Sequence, residues 1–519
     1  MTAPLARQLL IVALLLGVAG NWLLRAPEWA AGFTLWALLV LGAAFVAAER
    51  SAAPAPALRR EGRVLFAAAG LLALSFALRD ADLLFVLDLF ALLVVAALFA
   101  WRASGRSLTQ LEPRDAVLGG AATFATVAVG APTLALRDAA PQQLTGERRR
   151  SLGAFGLGAV VAAPVLLAVA LLLGSADPVF AAFLEETGAL LDGRLVGQLM
   201  GIGLAAWVAA GALRGTLAPI SGRLAGFSLR PQVEFSAVAP LLGGLALLLS
   251  MWIGLQVRAM FGGAEYVATA TGVTVAEYAR RGFFELVVIA GIVLAALLAA
   301  DDVLERGAAA SRRSFRAVGF VLLGLVGAVL VSALQRLGVY LRFYGLTEDR
   351  VLAAAVLVWV AVVLGWFGVT VLRESRQRFA PGVLVISALW LGGLNVANPE
   401  RWIVATNVQR AERGLSFDVA YHAQLSGDAL PALLAAAERL PAADAASLRS
   451  ELARVWQARA LSRTDWRAWS VPYVRGARRA ASLEAGRTAP TAPTATAPAA
   501  ALPPSGSPPP AASGSDAAR

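Results

Sequence analysis

Residues 351–372 read VLAAAVLVWVAVVLGWFGVTVL, a run without a single charge, and the next six, 373–378, read RESRQR. At ~1.5 Å of rise per residue the apolar run spans about 33 Å as a helix, enough to cross ~30 Å of bilayer hydrocarbon. The arginines behind it are the flank that membrane insertion retains on the cytoplasmic side. The same alternation extends in both directions. Further uncharged or nearly uncharged runs lie near 9–25, 31–48, 64–79, 83–101, 152–174, 195–213, 235–258, 283–300, 317–336 and 380–398. The reading is an all-α polytopic transmembrane helix bundle of about eleven spans.

Composition agrees with that reading. Hydrophobic residues make up 58% and charged residues 15% of 519 positions, with a mean hydropathy of +0.69, whereas about a quarter of a soluble chain is charged. A soluble α/β enzyme is excluded. All 45 basic side chains are arginine, which together with abundant alanine and glycine points to GC-rich coding rather than to selected guanidinium chemistry. The net charge of +11 is scattered through loops between apolar runs, so the partner it implies is the lipid headgroup layer and no nucleic acid. Without cysteine there is no disulfide and no thiolate metal site.

Orientation turns on 116–136, an uncharged stretch carrying Gly119, Gly120, Gly130 and Pro132. With it kept on the inner side as an interfacial or re-entrant segment, the inner gaps hold 22 arginines and the outer gaps nine. Were it to cross, the split would be 15 against 16 and the positive-inside bias would vanish. The expectation is therefore a cytoplasmic N-terminus and a C-terminal region on the outer face. Residues 1–20, with Arg7 ahead of an apolar 9–19, also fit a signal peptide, whose removal would leave the remaining topology unchanged.

After the last span, Pro399 suits a first helical turn and Gly414 a helix end. Asp428, Asp444 and Thr464 precede further helix-forming runs at 429–440, 445–462 and 465–483. Residues 399–484 read as a small soluble helical domain, and 485–519, rich in Ala, Pro, Thr and Ser, as a disordered tail.

Polar residues of interest gather in the outer gaps. Glu265 and Tyr266 precede Glu277, Tyr278, Arg280, Arg281 and Glu285, in which Glu277, Arg281 and Glu285 share one helical face as an acid–base–acid ladder. Gln335, Arg336, Tyr340, Arg342 and Tyr344 follow, three of them again spaced by four. Asp177 before Pro178 marks a turn. An interfacial belt of Tyr and Arg explains such residues equally well. Asp88 lies inside the fourth span, where an unpaired charge costs several kcal/mol; it reads either as half of a helix–helix bond with Arg258 or Arg336, or as part of a polar site open to the outer face. Asp80 and Asp82 have the spacing of a metal-binding carboxylate pair and read more simply as solvated caps. His422 has no second histidine beside it. No nucleotide, metalloprotease or nucleophile-elbow motif occurs, so no catalytic residue, cofactor or metal is assigned.

The segments Ser-Ala-Asp-Pro-Val-Phe at 175–180, Phe-Gly-Gly-Ala-Glu-Tyr-Val at 261–267, Ala-Glu-Tyr-Ala-Arg-Arg-Gly-Phe-Phe-Glu-Leu at 276–286, Ser-Ala-Leu-Gln-Arg-Leu at 332–337, Tyr-Gly-Leu-Thr at 344–347 and Asn-Pro-Glu at 398–400 resemble a bacterial membrane family of unknown function, domain of unknown function 4173, related to 4153. The resemblance covers roughly 150–475. It implies a multi-pass protein of a bacterial inner membrane and carries no reaction, ligand or site.

The expected function is binding of a lipid, an envelope component or a signalling or envelope protein at the outer face, in a non-enzymatic sensor or accessory role. A polyprenyl-lipid-dependent glycosyl- or phospho-sugar transferase, with an outer-loop carboxylate as base or metal ligand, is the alternative. A secondary transporter working through Asp88 is the third reading.

Overall fold

A computed structural model describes residues 2–26, 28–50, 56–103, 105–139, 193–217, 232–261, 283–305 and 309–488. Apart from one isolated bridge between Val233 and Leu304, all regular structure among these residues is helical. The membrane part comprises α1 (Ala3–Leu23), α2 (Ala31–Arg50), α3 (Pro56–Leu78), α4 (Asp82–Ala103), α5 (Pro113–Thr133), α6 (Gly193–Leu217), α7 (Phe235–Phe261), α8 (Phe283–Val303), α9 (Ala309–Tyr344), α10 (Glu348–Thr370) and α11 (Phe379–Ala397). All but α5 are long and apolar enough to cross a membrane, ten candidate spans among the described residues. The expected span 152–174 lies outside those residues, and so does 489–519. The fold is an all-α polytopic bundle.

Two apolar cores build it. One joins α1–α4 and α6 around Leu9, Trp36, Phe76 and Leu213; the other joins α7–α11 around Leu242, Leu297, Leu322 and Phe367. In lipid there is little hydrophobic drive between helices, so small residues that let backbones approach decide the packing. Gly17 lies against Ile202 and Ala206, Gly20 against Ala205, and Gly201 against Asn21, which sets α1 and α6 side by side and antiparallel. The two cores meet along a thin seam of α4 on α11, with Leu84 against Leu394 near one end and Trp101 and Leu111 against Ala380 near the other.

α9 runs 36 residues, about 54 Å, so the expected span 317–336 is only its middle. The stretch 337–344, expected as an outer gap, is helical because nothing breaks it before Gly345, whose φ of 74° takes the chain out of the helix.

α5 holds most of 116–136. Pro113 fills its first turn, and Pro132, unable to donate a backbone bond, precedes a π-helical turn at Leu134–Asp138. At its start Arg114 pairs with Asp302 at 3.5 Å, and Glu112 with Arg376 at 3.5 Å. Past its end Asp138 pairs with Arg214 at 2.9 Å, and the Ala139 carbonyl accepts from Arg7 at 3.3 Å. Arg7 opens α1 and Arg214 closes the antiparallel α6. Both ends of α5 are thus fastened at one end of the bundle.

At that end Arg376 is a hub. Its guanidinium reaches Asp301 (3.0 Å), Asp302 (2.5 Å) and Glu112, while Arg312 takes the other Asp301 oxygen at 2.8 Å. Asp301 closes α8, Arg376 precedes α11 and Glu112 precedes α5, so the hub ties the two cores together.

At the opposite end stands a third core, formed by α12 (Pro399–Glu412), α13 (Val419–Gln424), α14 (Leu430–Ala436), α15 (Ala442–Ser462) and α16 (Val471–Thr488). Ile403, Leu430, Leu433, Leu448 and Trp456 fill it, and Val351 of α10 contributes from below. Asn398 makes the join: at φ 54° it turns the chain from α11 into α12, and its side chain accepts the Arg401 N–H at 3.2 Å as the N-cap.

Candidate functional site

The loop between α13 and α14, Gln424-Leu-Ser-Gly-Asp428, is held from both sides. Arg459 on α15 donates to the Gln424 and Leu425 carbonyls at 2.6 and 2.9 Å. The buried Glu400 carboxylate accepts from the Ser426 N–H at 2.9 Å and from its hydroxyl at 2.5 Å. From the membrane bundle, Asp80 accepts the Gly427 N–H at 3.1 Å, and the Asp80 N–H donates to Asp428 at 2.7 Å. Arg79 completes the clasp with a 2.9 Å bond to Asp428 and another to the Asn395 carbonyl. Gly427 has to be glycine, because a Cβ there would come within 2.7 Å of the Pro472 backbone.

Asp80 also accepts from Arg463 at 2.9 Å and from the Ser470 hydroxyl at 2.8 Å, and Arg463 reaches on to Glu28. Asp80 and Arg463 are both largely shielded from solvent, with side chains 6% and 10% exposed. The expectation that Asp80 is a solvated cap is overturned: three downstream donors converge on it. Burial opposes the Arg463 charge, but Asp80 and Glu28 outweigh it and hold its pKa above the ordinary value. Arg459, facing carbonyls, is lowered by burial. Burial, against the two Ser426 bonds, pushes Glu400 up to about 8. Tyr421, whose hydroxyl accepts the Glu348 N–H at 3.0 Å, is raised to about 12 by burial.

Beside these contacts lies a half-open cavity of ≈ 420 Å³ at the junction of bundle and C-terminal domain. Its lining includes the charged Arg459, Arg463, Glu28 and Asp80 and the aromatic Trp29, Phe76 and Phe85, with Phe76 and Phe85 in edge contact at 5.0 Å. Asp82, Phe85 and Asp88 recur every three residues along the α4 wall. Asp82 forms no ion pair or hydrogen bond among the described residues. Asp88, 1% exposed, accepts from the Asn395 amide at 3.0 Å. Arg336 lies over the Trp252 ring instead, and the Arg258 side chain lies outside the described residues. The Asn395 amide of α11 and the Ser75 hydroxyl of α3 are neutral donors to the Asp88 carboxylate.

The remaining candidates are dispersed. Arg336 sets its guanidinium 5.8 Å from the Trp252 ring. Tyr340 and Tyr344 sit one turn apart with rings 4.9 Å from each other, and Arg350 lies 4.3 Å over the first. Gln335 and Arg342 are exposed on α9, and Glu285 is exposed in the first turn of α8. Asp177, Glu265, Tyr266, Glu277, Tyr278, Arg280 and Arg281 lie outside the described residues, so of the acid–base–acid ladder only Glu285 is placed. His422 is buried, stacked 4.1 Å from Phe417, and bonded to Asn407 and the Asp418 carbonyl. Among the described residues no three His, Asp or Glu side chains are grouped to hold a metal ion.

Sequence reasoning passed over Glu28, Arg79, Asn395, Glu400, Asp428, Arg459, Arg463 and Ser470. Two carried a signal: Asn395 is the one amide deep in the last apolar run, and Glu400 follows Asn-Pro at a span end. Of the others, Glu28, Arg79, Asp428, Arg463 and Ser470 acquire meaning only when residues more than 340 positions apart meet, and Arg459 when α15 folds back onto the Gln424 and Leu425 carbonyls.

The chain belongs to the family described as Domain of unknown function (DUF4153), whose model matches residues 66–436. Of the two related families that the sequence motifs suggest, this is the one the match supports. It takes in Asp80, Asp88 and Asp428 and stops short of Arg459 and Arg463. No curated protein and no solved structure matches the chain.

Proposed function

We propose that this DUF4153 protein is a non-enzymatic protein of a bacterial inner membrane that binds an amphipathic lipid or envelope component in the junction cavity. One observation carries the reading: the cavity sits where a span begins and combines charged side chains with the aromatic rings of Trp29, Phe76 and Phe85. A headgroup fits Arg459, Arg463 and Asp82, and an apolar segment fits Trp29, Phe76 and Phe85. The arginine count, 22 in one set of gaps against nine in the other, supports placing this end on the outer face and the Arg376 end in the cytoplasm. Of the two carboxylates that a transferase reading rests on, Asp80 is occupied by Arg463, Ser470 and Gly427, which leaves Asp82 alone to serve it.

The test is native mass spectrometry of the full chain extracted in mild detergent. Phe85→Ala and Asp82→Asn should each lower retention of the copurifying lipid about tenfold, which corresponds to about 1.4 kcal/mol, while leaving the yield of folded protein unchanged. Retention equal to wild type in both variants overturns the reading. A reporter fused after Thr488 gives the side: alkaline phosphatase activity is the expected result, and fluorescence of a green fluorescent protein fusion would reverse the orientation.

A further inference from the structure

The chain segment from the end of α15 to the start of α16 presents apolar side chains outward. Leu461 is 75% exposed, Trp466 41% and Trp469 40%, and Val471 continues the strip. Exposed Leu and Trp so close together are unusual on a water-facing domain. They are also not isolated from the bundle. Trp466 packs 5.9 Å from Trp22, itself 54% exposed, at the end of span α1. The Trp469 carbonyl accepts the Ala31 N–H at 3.3 Å, where span α2 begins, and Arg467 both donates to the Trp22 carbonyl and lies 5.1 Å over its ring. The strip therefore stands at the depth where two spans leave the hydrocarbon. Beside it, Arg475 and Arg478 are exposed on α16, and Asp465, the single acidic side chain between 452 and 483, is already taken by Arg467.

We infer that residues 461–478 form a monotopic membrane-binding surface, in which Leu461, Trp466, Trp469 and Val471 enter the headgroup layer of the bilayer that the chain itself spans and Arg475 and Arg478 engage anionic phospholipid. Trp at one apolar end and Arg at the polar edge is the composition such interfacial surfaces use. The occupant follows from continuity, since Trp22 and Ala31 belong to spans and fix the level of the strip. The C-terminal domain, which the sequence reads as soluble, then rests on the membrane through this edge, and the cavity rim at Trp29 opens toward headgroups rather than bulk water. The inference stands whether or not the cavity is occupied.

The absence of cysteine allows a direct test on the full chain in nanodiscs. Leu461→Cys, Trp469→Cys and, as a reference, Glu438→Cys beside the exposed Arg439–Glu412 pair are each labelled with an environment-sensitive fluorophore. Brominated phospholipid should quench the labels at 461 and 469 at least threefold more than the label at 438, with iodide showing the opposite order. Replacing phosphatidylcholine by phosphatidylglycerol should raise the lipid quenching at 461, and Arg475→Glu with Arg478→Glu should remove that increase. Equal lipid quenching at the three positions overturns the surface. Quenching at 461 and 469 that ignores lipid charge in wild type overturns the anionic preference. Leu461→Cys, at a side chain with few neighbours, guards against a folding defect in Trp469→Cys.

Discussion

The two ends of the bundle are each organised by one buried charge, of opposite sign. At one end an arginine, Arg376, collects three acids from two elements of the membrane part, Asp301 and Asp302 from α8 and Glu112 from the start of α5. At the other an aspartate, Asp80, collects an arginine, a hydroxyl and a backbone N–H from a domain nearly four hundred residues downstream. The arginine hub holds the bundle to itself; the aspartate hub holds a separate core onto it. An arginine can satisfy several carboxylates because its donors fan out in a plane, whereas a carboxylate with two oxygens can draw in backbone and hydroxyl donors that no fold-wide charge pattern announces.

Removing either hub should affect a different part of the molecule. Arg376→Ala takes one of two guanidinium partners from Asp301, which is 2% exposed and keeps Arg312, and should cost about 1.5–3 kcal/mol as loss of folded protein on size-exclusion chromatography. Asp80→Ala should cost a similar amount but locally: the spans stay folded, and limited proteolysis opens the segment after Asn398. If Asp80→Ala also collapses the bundle, the two hubs are not separable.

Glu400 separates the two ends by titration. Its folded pKa of about 8 lies above the ordinary 4.5, so the folded state binds the extra proton between those values and stability falls as pH rises through about 8. Thermal melts of the C-terminal core should decline between pH 5 and 9 in wild type and lose that slope in Glu400→Gln. The Arg376 end supplies no such slope, because its hub does not deprotonate in this range.

The smallest effect belongs to Asp88→Asn. The new carbonyl still accepts from Asn395, so the melting temperature should move by no more than the equivalent of about 1 kcal/mol. Asn395→Leu, which removes the donor and leaves the carboxylate, should cost more, and equal effects would show that Asp88 draws on other partners.

Much of the membrane fold was legible, because a span is a local property: length, apolarity and arginine flanks all lie within one window. The site was legible only in fragments. Asp88 stood out by its depth, but its partner did not, since an amide among Leu and Gly carries no charge to match against. Asp80 read as a cap because all its donors come from 427, 463 and 470. The i, i+4 spacing did place Tyr340 beside Tyr344, while Arg336 on the same face turned to Trp252, a ring on another helix that spacing cannot foresee.

The reach of the Asp80 contacts has a consequence for how the protein is made. Ser470 emerges 390 residues after Asp80, and at ~5–20 residues per second the ribosome needs roughly 20–80 s to cover that distance. Until Gly427 and Asp428 emerge, most of the way through that interval, the finished first spans carry Arg79 and Asp80 without these partners. A chain that ends before Gly427 and Asp428 lacks every one of these partners, and one that ends before Arg463 has only those of the loop, so the clasp closes in two steps as the chain is completed.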